Sequence, residues 1–249
     1  MQFLKSTAAI ALVLGLAACG GGGSTGSVST PPTSVTSTGP ASEAPQDLIA
    51  FATDGGTTSV VGNADWRVSR TSRTVTGTDG APVTVTVDVL PGGDYGMISL
   101  RRGENMTFYT MNDGLVANAT LPSAYYVGPW STTYRMPGQA SYVLGQGDFS
   151  VSVDMAAGTA SFGGMSSAAT SSVEIYGDTT VAGGSFSSSD ARVVLREDGA
   201  YIGETLGSVD AILTGAGDNA AAVGTTSALD TTLDFEMNGG FSAPIYLGN

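Results

Sequence analysis

Apolar and polar residues alternate one for one along most of this chain beyond Asp47, and a period of two leaves little choice but half-buried β-strands. Val83, Val85, Val87 and Val89 are separated by Thr84, Thr86 and Asp88, and Phe149, Val151, Val153 and Met155 by Ser150, Ser152 and Asp154. Leu229, Thr231, Leu233, Phe235 and Met237 likewise share one face against Asp230, Thr232, Asp234 and Glu236. In each run one set of side chains turns inward and the other meets water. Turn signals punctuate the runs at Asp79-Gly80, Pro91-Gly92-Gly93-Asp94, Asp198-Gly199 and Asn238-Gly239. Asp-Gly and Asn-Gly supply the positive φ angles that two-residue hairpins need. The expectation is an all-β protein of antiparallel strands. Asn219-Ala220-Ala221-Ala222 gives Asp218 to Val223 enough helical propensity for one short helix.

Composition divides this β-rich region near residues 118–123. Arg67, Arg70, Arg73, Arg101 and Arg102 precede that point, and only Arg135, Arg192 and Arg196 follow it. Tyr125-Tyr126-Val127-Gly128-Pro129-Trp130 opens the later part as an aromatic strand. These shifts predict a small β domain over 47–119 and a barrel-sized β domain over 120–249, with one continuous sandwich as the alternative.

The first 46 residues read differently. Ile10 to Leu16 is a short apolar run behind Lys5, and Leu16-Ala17-Ala18-Cys19 closes it. A charged start, an apolar stretch and small residues before a cut form a secretory signal, and the run is too short to span a bilayer, which takes roughly 20 residues. With cysteine at the cut, the four residues resemble a bacterial lipobox. That resemblance implies removal of 1–18, a diacylglycerol thioether on Cys19 and acylation of the new amino end. Gly20 follows the cysteine, where aspartate would signal inner-membrane retention, so the expected address is the outer membrane. Several acyl chains, each CH₂ worth about 0.8 kcal/mol when buried, hold a protein to a membrane far more firmly than one. Residues 19–46 continue as a lipidated tether of Gly, Ser, Thr and Pro with almost no large apolar side chain, a composition that cannot offset the entropy of ordering. A flexible coil of that length spans on the order of 30 Å.

Processing at Cys19 would also empty the chain of common catalytic groups. Lys5 is the lone lysine, Cys19 the lone cysteine, and there is no histidine. Ser-His-Asp triads, Ser-Lys dyads, Cys-His pairs and conventional zinc sites are excluded by composition. No disulfide forms within one chain. Nine Lys and Arg face 22 Asp and Glu, a formal net charge of −13, and such a surface repels nucleic acid and anionic headgroups.

Tyr126-Val127-Gly128-Pro129-Trp130, the run Val153-Asp154-Met155 leading to Gly158, and Gly215 to Gly224 with its alanines together resemble the C-terminal β-barrel of transferrin-binding protein B-like surface lipoproteins. The resemblance covers about 130 residues. It implies an eight-stranded antiparallel barrel preceded by a smaller, handle-like β domain. It also implies non-enzymatic capture of a protein or nutrient ligand at the cell surface, and an outer-membrane transporter as a further partner. It names no ligand.

Other constellations are bland. Asp148, Asp154, Asp178, Asp198, Asp210 and Asp218 sit near glycines, but no Asp-x-Asp-x-Asp-Gly loop occurs, and aspartate in a turn usually binds its own backbone. Asp234 and Glu236 have the spacing of a solvated strand face rather than a glycosidase pair. Beyond the Gly/Ser-rich tether there is no Gly-x-Ser-x-Gly elbow, and there is no phosphate loop. Trp66, Trp130, Tyr125, Tyr126, Tyr134, Tyr142, Tyr176 and Tyr201 are candidates for a sugar- or protein-binding surface, with core packing the commoner fate of strand aromatics. The reading is therefore a lipid-anchored surface binder with no catalytic residue, no cofactor and no metal. A structural or protective envelope lipoprotein without a specific ligand is the alternative. Because a small barrel fills with side chains, recognition is expected on barrel-end loops, such as Ser166 to Ser172 and Gly183 to Asp190, and on the adjoining first domain.

Overall fold

The computed structural model describes residues 39–63, 65–110 and 115–248; Cys19, the signal and most of the tether lie outside the described residues. The chain opens with helix α1 (Pro45–Thr53), followed by β1 (Thr57–Gly62), β2 (Arg67–Thr76), β3 (Pro82–Val89), β4 (Tyr95–Arg102) and β5 (Asn105–Thr110). These five strands form one antiparallel sheet in sequence order. Eight more follow: β6 (Ala124–Arg135), β7 (Val143–Asp154), β8 (Thr159–Ala168), β9 (Ser171–Ala182), β10 (Ser185–Glu197), β11 (Ala200–Thr214), β12 (Ala221–Asp230) and β13 (Phe235–Pro244). Each pairs antiparallel with its chain neighbour, and β13 returns to β6 from Glu236↔Arg135 to Phe241↔Trp130, closing the barrel. The all-β expectation, with an eight-stranded barrel preceded by a smaller sheet, holds.

Helix α1 runs across the predicted boundary between tether and first domain. Period-two reading passed over it because its apolar residues, Leu48, Ile49, Phe51 and Ala52, fall at helical spacing. Pro45 starts it, where a missing N–H costs nothing. Its buried face covers the valine side of the sheet, where Val83, Val85 and Val87 of β3 join Ile98 and Leu100 of β4. Arg73 clamps the contact, donating to the Phe51 carbonyl at 3.1 Å with its guanidinium 4.5 Å from the Phe51 ring centre.

The other face of the sheet lies on the barrel wall, and here alternation predicts the wrong environment. Asp88 belongs to the polar set of β3, yet its side chain is fully buried. Arg70 on β2 meets it with two parallel hydrogen bonds, Nε to Oδ1 at 2.7 Å and Nη2 to Oδ2 at 3.0 Å. Burial works against the charge on Arg70, but the hydrogen bond and attraction of Asp88 outweigh it and hold the guanidinium above its ordinary pKa.

Three further expectations are corrected. Asp218 to Val223 is no helix: a 3-10 turn at Gly217–Asn219 leads into β12, whose Ala221, Ala222 and Val223 are buried on both faces. The run from Leu229 to Met237 is not one strand, because β12 ends at Asp230 and the chain turns before Phe235. Asp230 makes that turn, accepting from the Thr232 and Leu233 amides. Asn238-Gly239 is no turn but mid-strand in β13, opposite Ser227 and Thr226. A Cβ at Gly239 would stand 2.8 Å from Trp130 Nε1, so the glycine there makes room for an indole. Asp198-Gly199 does turn β10 into β11, with φ of 50° and 79°.

Candidate ligand-binding surface

Inward positions of the barrel carry an aromatic column. Phe149 stacks on Phe241 at 4.0 Å between ring centres and continues to Phe162 at 6.2 Å and on to Phe186, while Trp130 meets Phe149 edge-on at 5.6 Å. Trp130 Nε1 donates to Thr226 Oγ1 at 3.1 Å and Tyr134 Oη to the Ser171 carbonyl at 2.9 Å. Thr132 and Ser166 share a hydroxyl pair at 2.7 Å. Tyr126 is equally buried, and its hydroxyl meets no partner among the described residues. The middle of the barrel is core, so any ligand-contacting surface lies outside it.

The expected barrel-end loops are not loops. Ser166 ends in β8 and Ser171 begins β9, leaving only Ala169 and Thr170 between the strands. Both serines are buried in the hydrogen bonds just described. Gly183 and Gly184 alone connect β9 to β10; Ser185 is already strand and Ser188 is buried. Alternation of small polar residues hid these strand ends, because inward-facing serines look like connectors.

Several exposed apolar side chains lie on the wall formed by β9 to β12, while others, such as Val60, Val116 and Leu247, lie elsewhere. Tyr176 faces Arg192, Arg192 faces Leu206, and Leu206 and Leu229 lie one step beyond the last pair of their ladder, Gly207↔Ala228. Leu206 is 61% exposed and Leu229 69%. Tyr176 and Tyr201 are also exposed, with Met165 nearby on β8. Arg192 sits 5.6 Å from the Tyr176 ring centre and pairs with Glu204; Arg196 pairs with Glu174 at 2.7 Å. The hydrogen bond to Glu204, joined by the pull of nearby tyrosines, raises the Arg192 pKa. Between these pairs lies Val194, opposite Glu174 and Glu204, only 4% exposed though it belongs to neither core cluster. Aromatic and arginine side chains are the types enriched at protein interface centres. One sign was legible in sequence: Leu206 occupies the polar phase of β11.

The remaining candidate residues scatter. Trp66, Trp130, Tyr126 and Tyr134 are core, Tyr142 is half-buried, and Tyr125 packs edge-on against Tyr246 at 5.9 Å. Asp154 caps its own turn, accepting from the Ala156 and Ala157 amides, and Asp178 accepts from Ser161. Asp234 binds Arg135 at 2.7 Å, and Glu236 accepts from the Tyr142 hydroxyl. Among the described residues no three acidic, histidine or cysteine side chains come together around a metal-sized site. No described helix is long and apolar enough to cross a membrane.

No protein-family profile matches this sequence, and no curated protein matches it either. In structure the chain is similar to Transferrin Binding Protein B, a vaccine antigen of Haemophilus parasuis Hp5. A double mutant of that protein aligns with TM-score 0.47 and 12% identity over 75% of this chain, and a single mutant with TM-score 0.46 and 12% identity over 72%. The chain spans 38% and 37% of the length of those two proteins.

Proposed function

We propose that this protein is an outer-membrane surface lipoprotein, anchored through Cys19, that holds a protein or nutrient ligand without transforming it. The observation that carries this reading is a barrel filled with aromatic side chains whose outer wall over β9 to β12 displays Tyr176, Tyr201, Leu206 and Leu229. A filled barrel cannot carry cargo inside, whereas exposed large apolar residues gathered on one wall mark an interaction site. Composition supports the absence of turnover, since the chain beyond Cys19 holds no histidine or lysine. Delivery to an outer-membrane transporter would follow naturally from a location beside one.

A photo-crosslinking amino acid placed at Leu206 in the full-length protein on intact cells tests the binding reading. A discrete crosslinked partner, absent when the same probe replaces Ser161 on β8, is the expected result. No partner at Leu206 would favour the coat-protein alternative. Cys19→Ala tests the anchor separately: palmitate labelling should vanish and the protein should leave the membrane fraction.

A further inference from the structure

β5 is the last strand of the five-stranded sheet and, among the described residues, pairs only with β4. Its hairpin with β4 closes through two residues, Gly103 and Glu104, with Arg102 opposite Asn105. A two-residue hairpin makes the closing pair a hydrogen-bonded one, and bonded and non-bonded pairs then alternate. Leu100↔Thr107 exchanges ladder bonds, and Met106 and Phe108 turn their N–H and C=O groups away from β4. Among the described residues nothing else bonds those groups. Nor does β5, with the sequence Asn-Met-Thr-Phe-Tyr-Thr, carry the charge, proline or bulge that commonly guards an edge.

The free edge borders a groove. A hollow of about 370 Å³ lies between Met106 and Phe108 on one side and Thr225 and Ser227 of β12 on the other. Thr225 also borders a second hollow of about 430 Å³ along the outer wall of β9 to β12, where Asp210 is the one charged lining residue. Asp210 is exposed and makes no ion pair or side-chain hydrogen bond among the described residues. Backbone donors and acceptors at a two-residue repeat, about 7 Å apart, are what an extended chain recognises.

We infer that β5 accepts an extended segment of a partner polypeptide, which adds to its edge as a sixth strand and places a basic side chain at Asp210. This deepens the binder reading and rests on it for biological sense, but it centres on the β5 edge and meets the barrel wall at Asp210 rather than at Tyr176, Tyr201, Leu206 and Leu229, and its test needs neither the anchor nor the natural ligand. The test uses detergent-solubilised full-length protein and a fluorescent, end-capped hexapeptide of alternating threonine and valine with arginine at one end, read by anisotropy and by hydrogen exchange. Saturable binding that slows exchange in 105–110 is expected. Asp210→Asn should weaken it about two- to fivefold, as loss of an exposed charge contact does. Methylating alternate peptide nitrogens, which keeps the charge and removes the donors, should weaken it on the order of tenfold or more. Met106→Pro removes an outward N–H without touching the β4 ladder and should have a similar effect. Should that variant misfold, the methylated peptide on unaltered protein decides the matter alone. No binding at millimolar peptide, equal binding of the methylated peptide, or protection appearing at β1 or around Tyr176, Leu206 and Leu229 with none in 105–110 would overturn the inference.

Discussion

Two buried polar residues test how individual groups are balanced in this fold. Asp88 is sealed between sheet and barrel with Arg70 as its partner. Asp88→Ala leaves a guanidinium facing an apolar gap, and breaking such a pair from one side costs about 3–5 kcal/mol. Chemical denaturation should show that loss, and Arg70→Met combined with Asp88→Leu should recover most of it. Tyr126 offers the opposite case, a hydroxyl with burial but no partner. Tyr126→Phe should therefore be neutral or stabilising by about 1 kcal/mol, since an unsatisfied buried hydroxyl is a cost; a drop in melting temperature would contradict this. The burial of Tyr126 was legible as the commoner fate of a strand aromatic, and that of Asp88 was not. Asp88 alternates as a solvated residue does, and only the second layer packed on its face makes it core.

Among the elements, the strands were legible and their ends were not. Val83 to Val87 and Phe149 to Asp154 behave as their alternation predicts, because each has a single apolar phase. Leu229 to Met237 misleads because the phase survives a turn: Leu229 and Phe235 belong to different strands, and Leu229 faces solvent. Asn238-Gly239 misleads for another reason, since its glycine answers to the girth of Trp130 rather than to backbone curvature. Gly239→Ala would place Cβ 2.6 Å from Thr226 Oγ1 and 2.8 Å from Trp130 Nε1, crowding the hydrogen bond between them. Overpacking of this kind costs about 1–3 kcal/mol, visible as a melting temperature lowered by several degrees. The turns themselves respond to acid. Asp154 is held below the ordinary carboxyl range chiefly by the Ala157 amide, and Asp230 chiefly by the Leu233 amide. A lowered folded-state pKa stabilises only where the carboxyl is ionised, so the contribution is complete above the unfolded value of about 3.9 and lost as pH falls through the lower folded value. Stability should hold level from neutrality to about pH 5 and decline below about pH 4; Asp154→Asn with Asp230→Asn should flatten that decline.

At the scale of the whole molecule, β13 is a main junction between the two β layers, beside β12, whose Ala221 and Val223 join the sheet's core. Ser242 of β13 is fully buried, and its Oγ accepts the Met97 amide of β4 at 2.7 Å. Its carbonyl lies where a Cβ on Gly128 would have to stand, and Gly240 leaves the same kind of room for Met97 and Phe108. Pro129 sits where the β6–β13 ladder lapses between Trp130↔Phe241 and the lone bridge Tyr126↔Ile245, so its missing N–H breaks no bond there. Ser242→Ala strands a buried amide and should cost about 1–3 kcal/mol, with faster hydrogen exchange at Met97 before any change within β7 to β10.

The position of β13 in the chain sets an order of events during synthesis. Its ladder joins Glu236 to Arg135, and the sheet ahead of the barrel docks on the same strand through Ser242. Seven barrel strands and the five-stranded sheet are therefore made before the strand that closes the barrel and completes the sheet's docking surface. Closing so distant a pairing is slow compared with forming local hairpins. A nascent chain lacking its last barrel strand keeps two open barrel edges and a partly uncovered sheet face, the kind of surface that pairs with other chains, until residues 235–244 arrive.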